Sequence, residues 1–214
     1  LLVDTNRIFP YSETARKGNI VKNSLGTGAT MVTGSFFTGC MSSRREESFC
    51  SRNLLDKGIK NKEQLTSFFM SVSPDSSREQ VKHLASLYIE ESNIEGINSD
   101  CAFVQMCLET GFLKFGNLVK PEMHNYCGLG AIDKDHPGEW FETERLGVRA
   151  HVQHLQAYAT PAEVTLKQEL VDPRYSWVHK TKMAETVFDL AGQWATDKEY
   201  GRKLDSLLSK LEKF

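Results

Sequence analysis

Residues 98–112 read NSDCAFVQMCLETGF, and this stretch decides the fold of the chain. A helix is predicted to begin at Asn98 or Ser99, because both residue types are preferred N-caps and the acidic residue that follows suits the positive end of a helix. An apolar run then continues to residue 108, and Gly111 ends the helix. Glu109 therefore lies in the last turn of an apolar helix.

Apolar residues recur at helical spacing in five further segments of the chain. These segments are 65–69, ending before Pro74; a helix capped by Ser76 or Ser77 and ended by Gly96; 148–158, ending before Pro161; 187–194; and 200–211, with a capping box of Thr196 and Glu199. Glycines and prolines interrupt residues 112–145, which are predicted to form a loop region with at most a small β-hairpin. Residues 162–183 are predicted to be turns. The expected fold is mainly α, with the loop or hairpin insertion lining a cleft.

Residues 1–60 differ from the rest of the chain. Gly, Ser, Thr and Asn are scattered there without a sustained period, as in SLGTGATMVTGS. We predict a poorly packed N-terminal arm or leader over 1–60 and a folded domain over 61–214. The sequence FTGC at 37–40 loosely resembles a lipoprotein cleavage box, so a lipid anchor at Cys40 and an ordinary flexible leader both remain open. No run of roughly 18 apolar residues occurs, so no spanning helix is expected.

Charge and cysteine content exclude several classes of function. The net charge of −2 provides no broad basic field for nucleic acid, which is not expected as a partner. Five cysteines without paired CxxC spacing indicate neither a zinc site nor a complete disulfide framework. Cys101 and Cys107 are instead predicted to be buried thiols. His151 and His154 lie three residues apart but lack an evident third ligand, so no metal is expected.

Glu109 is the candidate for acid chemistry. A carboxyl group at a helix C-terminus lies near the negative end of the helix dipole, and apolar neighbours reduce its hydration. Both effects raise its pKa, which is what a general acid in glycoside cleavage needs near neutral pH. The spacing alone leaves a second interpretation open, in which Glu109 is a solvated residue on the exposed side of the helix end.

Four motifs in a fixed order resemble the bacterial glucosaminidase family, the mannosyl-glycoprotein endo-β-N-acetylglucosaminidase-like, lysozyme-like cell-wall hydrolases. The motifs are AFVQMCLETGF (102–112), HNYCGLGA (124–131), GVRAHVQHLQAYA (147–159) and WATDKEYGRKL (194–204). The first is similar to A-x-x-E-[ST]-G-[WF], the second to N-N-[LYF]-[FC]-G-[IL]-[KG]-A, and the last to W-A-x-D-x-x-Y-x-x-K. The resemblance covers about half the chain and excludes residues 1–60.

The resemblance implies a set of site residues. Glu109 matches the essential acid of the family, and Tyr200 matches the tyrosine that faces this acid. The residues that match the substrate-binding cleft are Asn125, Tyr126, Gly128 and Phe112. The residue types agree with these roles, because an Asn amide can bind an N-acetyl group and a Tyr ring can stack on a pyranose. A turn Asn, turn glycines and core aromatics are the alternative interpretation.

The second carboxylate of the family is not evident in this sequence. The matching position falls near Leu146, and the candidates close to it are Glu142 and Glu144, followed by Glu139, Asp133 and Asp135. Each of these is also readily explained as a solvated loop charge. If none reaches the cleft, assistance by the N-acetyl group of the substrate is favoured.

The resemblance therefore implies an enzyme that hydrolyses the β-1,4 bond after N-acetylglucosamine in bacterial peptidoglycan. No cofactor is needed, and residence outside the cytoplasm follows from the substrate. A muramidase or a lytic transglycosylase on the same polymer remains an alternative, as does a peptidoglycan-binding module without catalytic activity.

Overall fold

The computed structural model describes residues 49–214, which form six α-helices. They are α1 (Lys62–Val72), α2 (Arg78–Glu95), α3 (Ser99–Glu109), α4 (Glu144–Ala159), α5 (Tyr175–Thr181) and α6 (Tyr200–Leu211). A 3₁₀ turn covers Pro121–Met123. The described residues contain no β-strand, only two isolated bridges. The prediction of a mainly α fold is confirmed, and the insertion contains a 3₁₀ turn instead of a hairpin.

Helix α3 lies at the centre of the domain. Every residue from Ser99 to Leu108 is buried, and the helix packs against α1, α2, α4 and α6. Full burial of side chains such as Phe103 and Met106 stabilises the fold by about 1.5–3 kcal/mol each. Glu109 is the last residue of this buried helix, so the fold places it where the core meets the surface.

Helices α2 and α3 begin at the capping residues that the sequence predicts, and α2 also ends at its predicted residue. The side chain of Ser77 accepts a hydrogen bond at the start of α2, and Gly96, with φ of +79°, ends this helix. The Asn98 side chain accepts from the first backbone N–H groups of α3. These predictions are confirmed because a cap is a local interaction between neighbouring residues.

Residues 49–60 pack on the helical domain, although the sequence places them in the arm. Leu54 is fully buried, and its backbone N–H and C=O pair with Glu185 and Asn98. The carboxylate of Asp100 accepts hydrogen bonds from the backbone N–H groups of Ile59 (2.9 Å) and Lys60 (3.2 Å). The packed region thus begins before residue 61. Residues 1–48, including the predicted lipid-anchor residue Cys40, lie outside the described part.

The structure corrects the prediction for residues 187–194, which form turns instead of a helix. The Asp189 carboxylate accepts hydrogen bonds from the backbone N–H groups of Glu185 and Thr186. Gln193 donates to the carbonyls of Met183 and Asp189. The Asp189 carbonyl, which a helix would pair with the backbone N–H of Gln193, receives the Gln193 side chain instead, while that N–H bonds to the Leu190 carbonyl and the chain turns.

Two further predictions near the C-terminus are wrong. Residues 175–181 form α5 instead of turns, with Asp172 accepting from the backbone N–H of Arg174 just before the helix (2.8 Å). No capping box of Thr196 with Glu199 forms, since α6 begins at Tyr200 without a side-chain cap. Asp197 instead accepts from the Glu199 backbone N–H (2.9 Å).

Four cysteines fall within the described residues, and all four are buried free thiols: Cys50, Cys101, Cys107 and Cys127. The prediction that Cys101 and Cys107 are buried is confirmed. Over residues 49–214, none of the helices combines the length and apolar character needed to cross a membrane.

Gly147 gives a direct test of how α4 packs on the insertion. A Cβ atom at this position would lie 1.8 Å from the carbonyl oxygen of His124. We expect Gly147→Ala to destabilise the protein by about 1–3 kcal/mol, measured by thermal or urea unfolding. The control is Gly116→Ala, where an added Cβ meets nothing within 4 Å. Since Ala is otherwise favoured over Gly in a helix, a stabilising Gly147→Ala change would contradict this packing.

Candidate active site

Two cavities meet beside the end of α3. The Glu109 cavity, of about 250 Å³, is lined by Glu109, Thr110, Asn125, Gly128 and residues 115–119 and 131–132. The Trp177 cavity, of about 150 Å³, is lined by Trp177, Trp194, His154, Arg174, Lys182 and residues 127–130, among others. Both are concave and adjoin at Gly128, and together they have the size of a small ligand site of ~300–1,000 Å³.

A wider groove, of about 390 Å³, lies elsewhere, between residues 57–62 and the outer face of α2. It contains none of the predicted site residues. The two smaller cavities are therefore the candidate site, because they contain Glu109.

The carboxyl group of Glu109 is only partly exposed, and its two oxygens differ. The hydroxyl of Tyr200 and the indole Nε1 of Trp194 (2.9 Å) both donate hydrogen bonds to Oε1. Oε2 has no hydrogen-bond partner among the described residues and is not fully buried. Burial raises the pKa of Glu109 to about 7, although both hydrogen bonds act to lower it. Desolvation therefore outweighs the two donors, and the carboxyl is half protonated near neutral pH.

Gln105 holds the hydroxyl of Tyr200 in place. Its Nε2 donates a hydrogen bond of 2.9 Å to this hydroxyl, which in turn donates to Glu109. Gln105 lies one helical turn before Glu109 on α3, so both face the same side of the helix. Tyr200 is buried at the start of α6, where the contact between α3 and α6 brings it to the acid.

The hydrogen bonds continue from Gln105 into the core. Nε2 of His151 lies 3.1 Å from Oε1 of Gln105, and Nδ1 lies 2.8 Å from the hydroxyl of Tyr88. Burial lowers the pKa of His151 to about 3, so the ring is neutral. Because Gln105 uses its amide N–H toward Tyr200, its oxygen accepts from Nε2–H, and Tyr88 donates to Nδ1. Tyr88, His151, Gln105, Tyr200 and Glu109 thus form one network, which we call the buried hydrogen-bond network.

Phe112 supports the site from the core and lines neither cavity, which corrects its predicted role in substrate binding. It is 3% exposed and packs on Phe68 and Phe69, with ring centroids 6.0 and 5.2 Å away. Its backbone is left-handed, with φ of +58°, between Gly111 and Leu113, which are also left-handed. This conformation costs about 1–2 kcal/mol per non-glycine residue, and burial of the ring offsets it.

Asn125 and Gly128 shape the loop that lines the cavities. The Asn125 amide donates to the carbonyls of Leu129 (2.8 Å) and Glu139 (3.1 Å), and its oxygen accepts from the Leu129 N–H (2.9 Å). Its polar atoms are thus occupied within the loop. Gly128, with φ of +68°, lines both cavities, and no atom lies within 4 Å of an added Cβ.

Tyr126 and the two predicted carboxylates do not reach the cavities. The Tyr126 ring is buried in the core, so it is not available to stack on a sugar. Its hydroxyl lies 3.4 Å from Oε1 of Glu144, which also contacts Gln80 on α2. Glu142 is exposed and lines neither cavity. These placements correct the predicted roles of Tyr126, Glu142 and Glu144.

Sequence reasoning missed three residues of the site. Trp194 ends the segment 187–194, whose helical spacing predicts a core position, whereas in the structure it donates to Glu109 and lines the Trp177 cavity. Gln105 and His151 are fully buried polar side chains in helices with apolar faces. A buried polar side chain needs a hydrogen-bond partner. A Gln one helical turn before the candidate acid is therefore the feature of the sequence that points to Gln105 as part of the site.

Ionisation of Glu109 should make stability depend on pH in a specific direction. Its pKa is raised in the folded protein from a reference of 4.5 to about 7, so the resulting stabilisation is complete below about pH 4.5 and lost as pH rises through 7. Glu109→Gln avoids this loss. We expect the variant to gain on the order of 2–3 kcal/mol relative to the wild type between pH 4.5 and pH 8, measured by urea unfolding. A stability difference independent of pH would contradict the raised pKa.

Two comparisons with known proteins find relatives of this chain. Residues 85–213 match the glucosaminidase family, described as mannosyl-glycoprotein endo-beta-N-acetylglucosaminidase. An uncharacterized protein of Borreliella burgdorferi is 40% identical over 158 residues, which cover 74% of this chain and 76% of that protein. No solved structure gives a significant match. The family match spans more than half of the chain, and the chain therefore belongs to the glucosaminidase family of glycan-directed glycosidases.

Proposed function

We propose that this protein hydrolyses the β-1,4 bond after N-acetylglucosamine in bacterial peptidoglycan, with Glu109 as the general acid. The observation that carries the proposal is the carboxyl of Glu109, whose pKa is raised to about 7 at the wall of a cavity. A group with this pKa holds a proton at neutral pH and can still release it, as the departing sugar oxygen requires.

The two oxygens of Glu109 have different roles in this mechanism. Oε1 accepts from both Tyr200 and Trp194, so its lone pairs are occupied and the acidic proton resides on Oε2. Oε2 is the oxygen without a described protein partner, and it can donate to a glycosidic oxygen in the cavity. Tyr200 and Trp194 are positioning residues that fix the orientation of the carboxyl. After proton transfer, the same two donors stabilise the carboxylate that forms.

The second step does not require a second protein carboxylate. Among the described residues that line the two cavities, Glu109 is the only acid. The carbonyl oxygen of the substrate's N-acetyl group is then the nucleophile at the anomeric carbon, and water opens the cyclic intermediate. Attack from within the substrate followed by water retains the anomeric configuration.

A lytic transglycosylase is the second candidate, supported by the same single acid. A sugar hydroxyl of the substrate would then attack the anomeric carbon and give an anhydro-sugar, with no water consumed. Both reactions use Glu109 in the same way and differ in the new chain end.

Because peptidoglycan lies outside the cytoplasm, we propose that the protein acts there.

Glu109→Gln should lower the rate of peptidoglycan cleavage by about 10²–10⁴-fold, because Gln cannot donate a proton to the leaving group. The assay incubates purified peptidoglycan with each protein and identifies the released ends by mass spectrometry. A reducing N-acetylglucosamine end is expected; a reducing N-acetylmuramic acid end would indicate a muramidase, and an anhydro-sugar a transglycosylase.

Glu142→Gln is the matched control, because Glu142 is exposed and outside both cavities. We expect it to keep wild-type activity. Loss of activity in this variant would overturn the single-acid mechanism. Equal activity of Glu109→Gln and the wild type would overturn the role of Glu109, and binding without cleavage by the wild type would identify a binding module.

Tyr200→Phe removes a donor that lowers the pKa of Glu109. We expect the alkaline limb of the pH–kcat profile to move to higher pH, and kcat to fall because the carboxyl is less well oriented. The profile is measured on peptidoglycan between pH 5 and pH 9. An unchanged or more acidic limb would show that the Tyr200 hydroxyl does not act on the ionisation of Glu109.

A further inference from the structure

The buried hydrogen-bond network can run in either of two directions, because its members can both donate and accept. In the forward direction each member donates to the next, in the order Tyr88, His151, Gln105, Tyr200 and Oε1 of Glu109. In the reverse direction the Gln105 amide is turned over and the proton of His151 is on Nδ1. Oε1 of Glu109 must then itself donate to Tyr200. The direction therefore decides which oxygen of Glu109 carries the acidic proton.

The hydroxyl of Tyr88 distinguishes the two directions. It is fully buried, and among residues 49–214 its only hydrogen-bond partner is Nδ1 of His151 (2.8 Å). In the forward direction the hydroxyl donates to this nitrogen. In the reverse direction it accepts from Nδ1–H, so its own proton has no acceptor in the core. A buried donor without an acceptor is costly, and this cost favours the forward direction by about 5–150-fold.

The contacts closer to the acid do not select a direction. Nε1 of Trp194 can only donate, and Oε1 of Glu109 accepts this hydrogen bond (2.9 Å) in both directions. Gln105 and Tyr200 are buried, but each can exchange its donor and acceptor roles without losing a partner. The selection is thus left to the two members at the far end of the network.

This far end, Tyr88 and His151, carries no charge near neutral pH. Burial lowers the pKa of His151 to about 3, and the neighbouring His154, which is paired with Asp172, acts in the same direction. The other ionisable groups that face Tyr88 are Cys107, Tyr126 and Cys127. Burial raises the pKa of each of these three groups, so they are neutral as well. Hydrogen bonding at the far end therefore decides the direction.

We propose that Tyr88 and His151 are positioning residues that keep the acidic proton of Glu109 on the oxygen available to the substrate. They fix the forward direction of the network, which makes Oε1 an acceptor and leaves the proton to Oε2. In the reverse direction the proton is held between Oε1 and Tyr200 and does not reach the glycosidic oxygen. This inference rests on the proposed function, and it gives a role in catalysis to two core side chains that line neither cavity.

Loss of this selection has a specific effect on the pH dependence of kcat. If the reverse direction is allowed, part of the protonated enzyme holds its proton on Oε1 and is inactive. The plateau of kcat at low pH then falls by a certain factor, and the apparent pKa of Glu109 rises by the logarithm of the same factor.

At pH values well above the pKa of Glu109, kcat is expected to stay unchanged. An ionised carboxyl can only accept, so its charge-assisted hydrogen bond from Tyr200 favours the forward direction. The equilibrium between this carboxylate and the form with a proton on Oε2 is then the same as in the wild type. Damage to the packing alone would instead lower kcat at every pH.

Tyr88→Phe removes only the hydroxyl that selects the direction. Without it, each direction leaves Nδ1 of His151 unpaired, so the two directions become comparable. We expect kcat on peptidoglycan to fall by about 2–10-fold at pH 5 and to equal the wild-type value at pH 9. KM should not change. The apparent pKa of Glu109, followed by carbon-13 NMR of its carboxyl, should rise by the logarithm of the factor that kcat loses.

Variants at position 151 and a second substitution at Tyr200 test whether the effect travels through the network. Gln supplies one donor and one acceptor, whereas Leu supplies neither. His151→Gln should therefore keep the wild-type pH profile, and His151→Leu should change it as Tyr88→Phe does. In a Tyr200→Phe background the network no longer reaches the acid, so adding Tyr88→Phe should not move the pKa of Glu109 further.

Tyr175→Phe is the matched control for loss of a buried hydroxyl. The Tyr175 hydroxyl donates to Oε1 of Gln156 (2.7 Å), and neither residue belongs to the network or lines a cavity of the site. We expect this variant to be less stable in urea unfolding and to keep the kcat, KM and pH profile of the wild type.

The position of the proton on His151 gives a test that does not need activity. We expect nitrogen-15 NMR of the wild type at pH 7 to show a protonated Nε2 and an unprotonated Nδ1. The proposal is overturned by a proton on Nδ1, by an unchanged pH profile in Tyr88→Phe, or by a kcat that falls equally at all pH values in this variant. An inactive wild type contradicts the proposed function alone, and the NMR measurements on His151 and Glu109 then decide on the positioning role.

Discussion

The Glu109 carboxyl loses water at the end of α3, and the hydrogen bonds from Tyr200 and Trp194 replace only part of that hydration. The raised pKa of Glu109 depends on this incomplete replacement of water, and the rest of the site supports it. Helix α3 must be buried for the carboxyl to lose water, and α6 must pack on α3 for Tyr200 to reach it. The turn that brings Trp194 to the acid depends on side chains that hold the chain out of a helix. The burial of α3 at the centre of the fold therefore also raises the pKa of Glu109.

The sequence predicts those parts of the fold that depend on neighbouring residues. Ser77, Gly96 and Asn98 mark helix ends through contacts within one turn, so these ends are found correctly. Residues 187–194 have helical spacing, but the Asp189 and Gln193 side chains compete for the backbone and Gly192 adopts a φ of +79°. This competition depends on hydrogen bonds between particular residues three to ten positions apart, and single-residue propensities do not contain it.

The site shows the same difference between features set by neighbouring residues and features set by tertiary contacts. The location of Glu109 follows from the helix pattern, and its meeting with Tyr200 follows from the family resemblance. The directions of Phe112 and Tyr126 could not be predicted, because a left-handed turn and packing against distant aromatic rings decide them. The resemblance assigns Asn125 to the cleft, and this residue lines the Glu109 cavity, but its amide serves the loop. A motif identifies which residues surround a site, whereas the polar atoms that remain available depend on tertiary hydrogen bonds.

The buried hydrogen-bond network has an evolutionary consequence. Its members come from four helices, and each hydroxyl, amide or ring nitrogen in it has a fixed donor or acceptor role. Replacing one member alone leaves a buried polar atom without a partner, at a cost of about 1–3 kcal/mol. Tyr88, Gln105, His151 and Tyr200 are thus expected to be inherited as a set and to change together during divergence, although only Tyr200 contacts the acid.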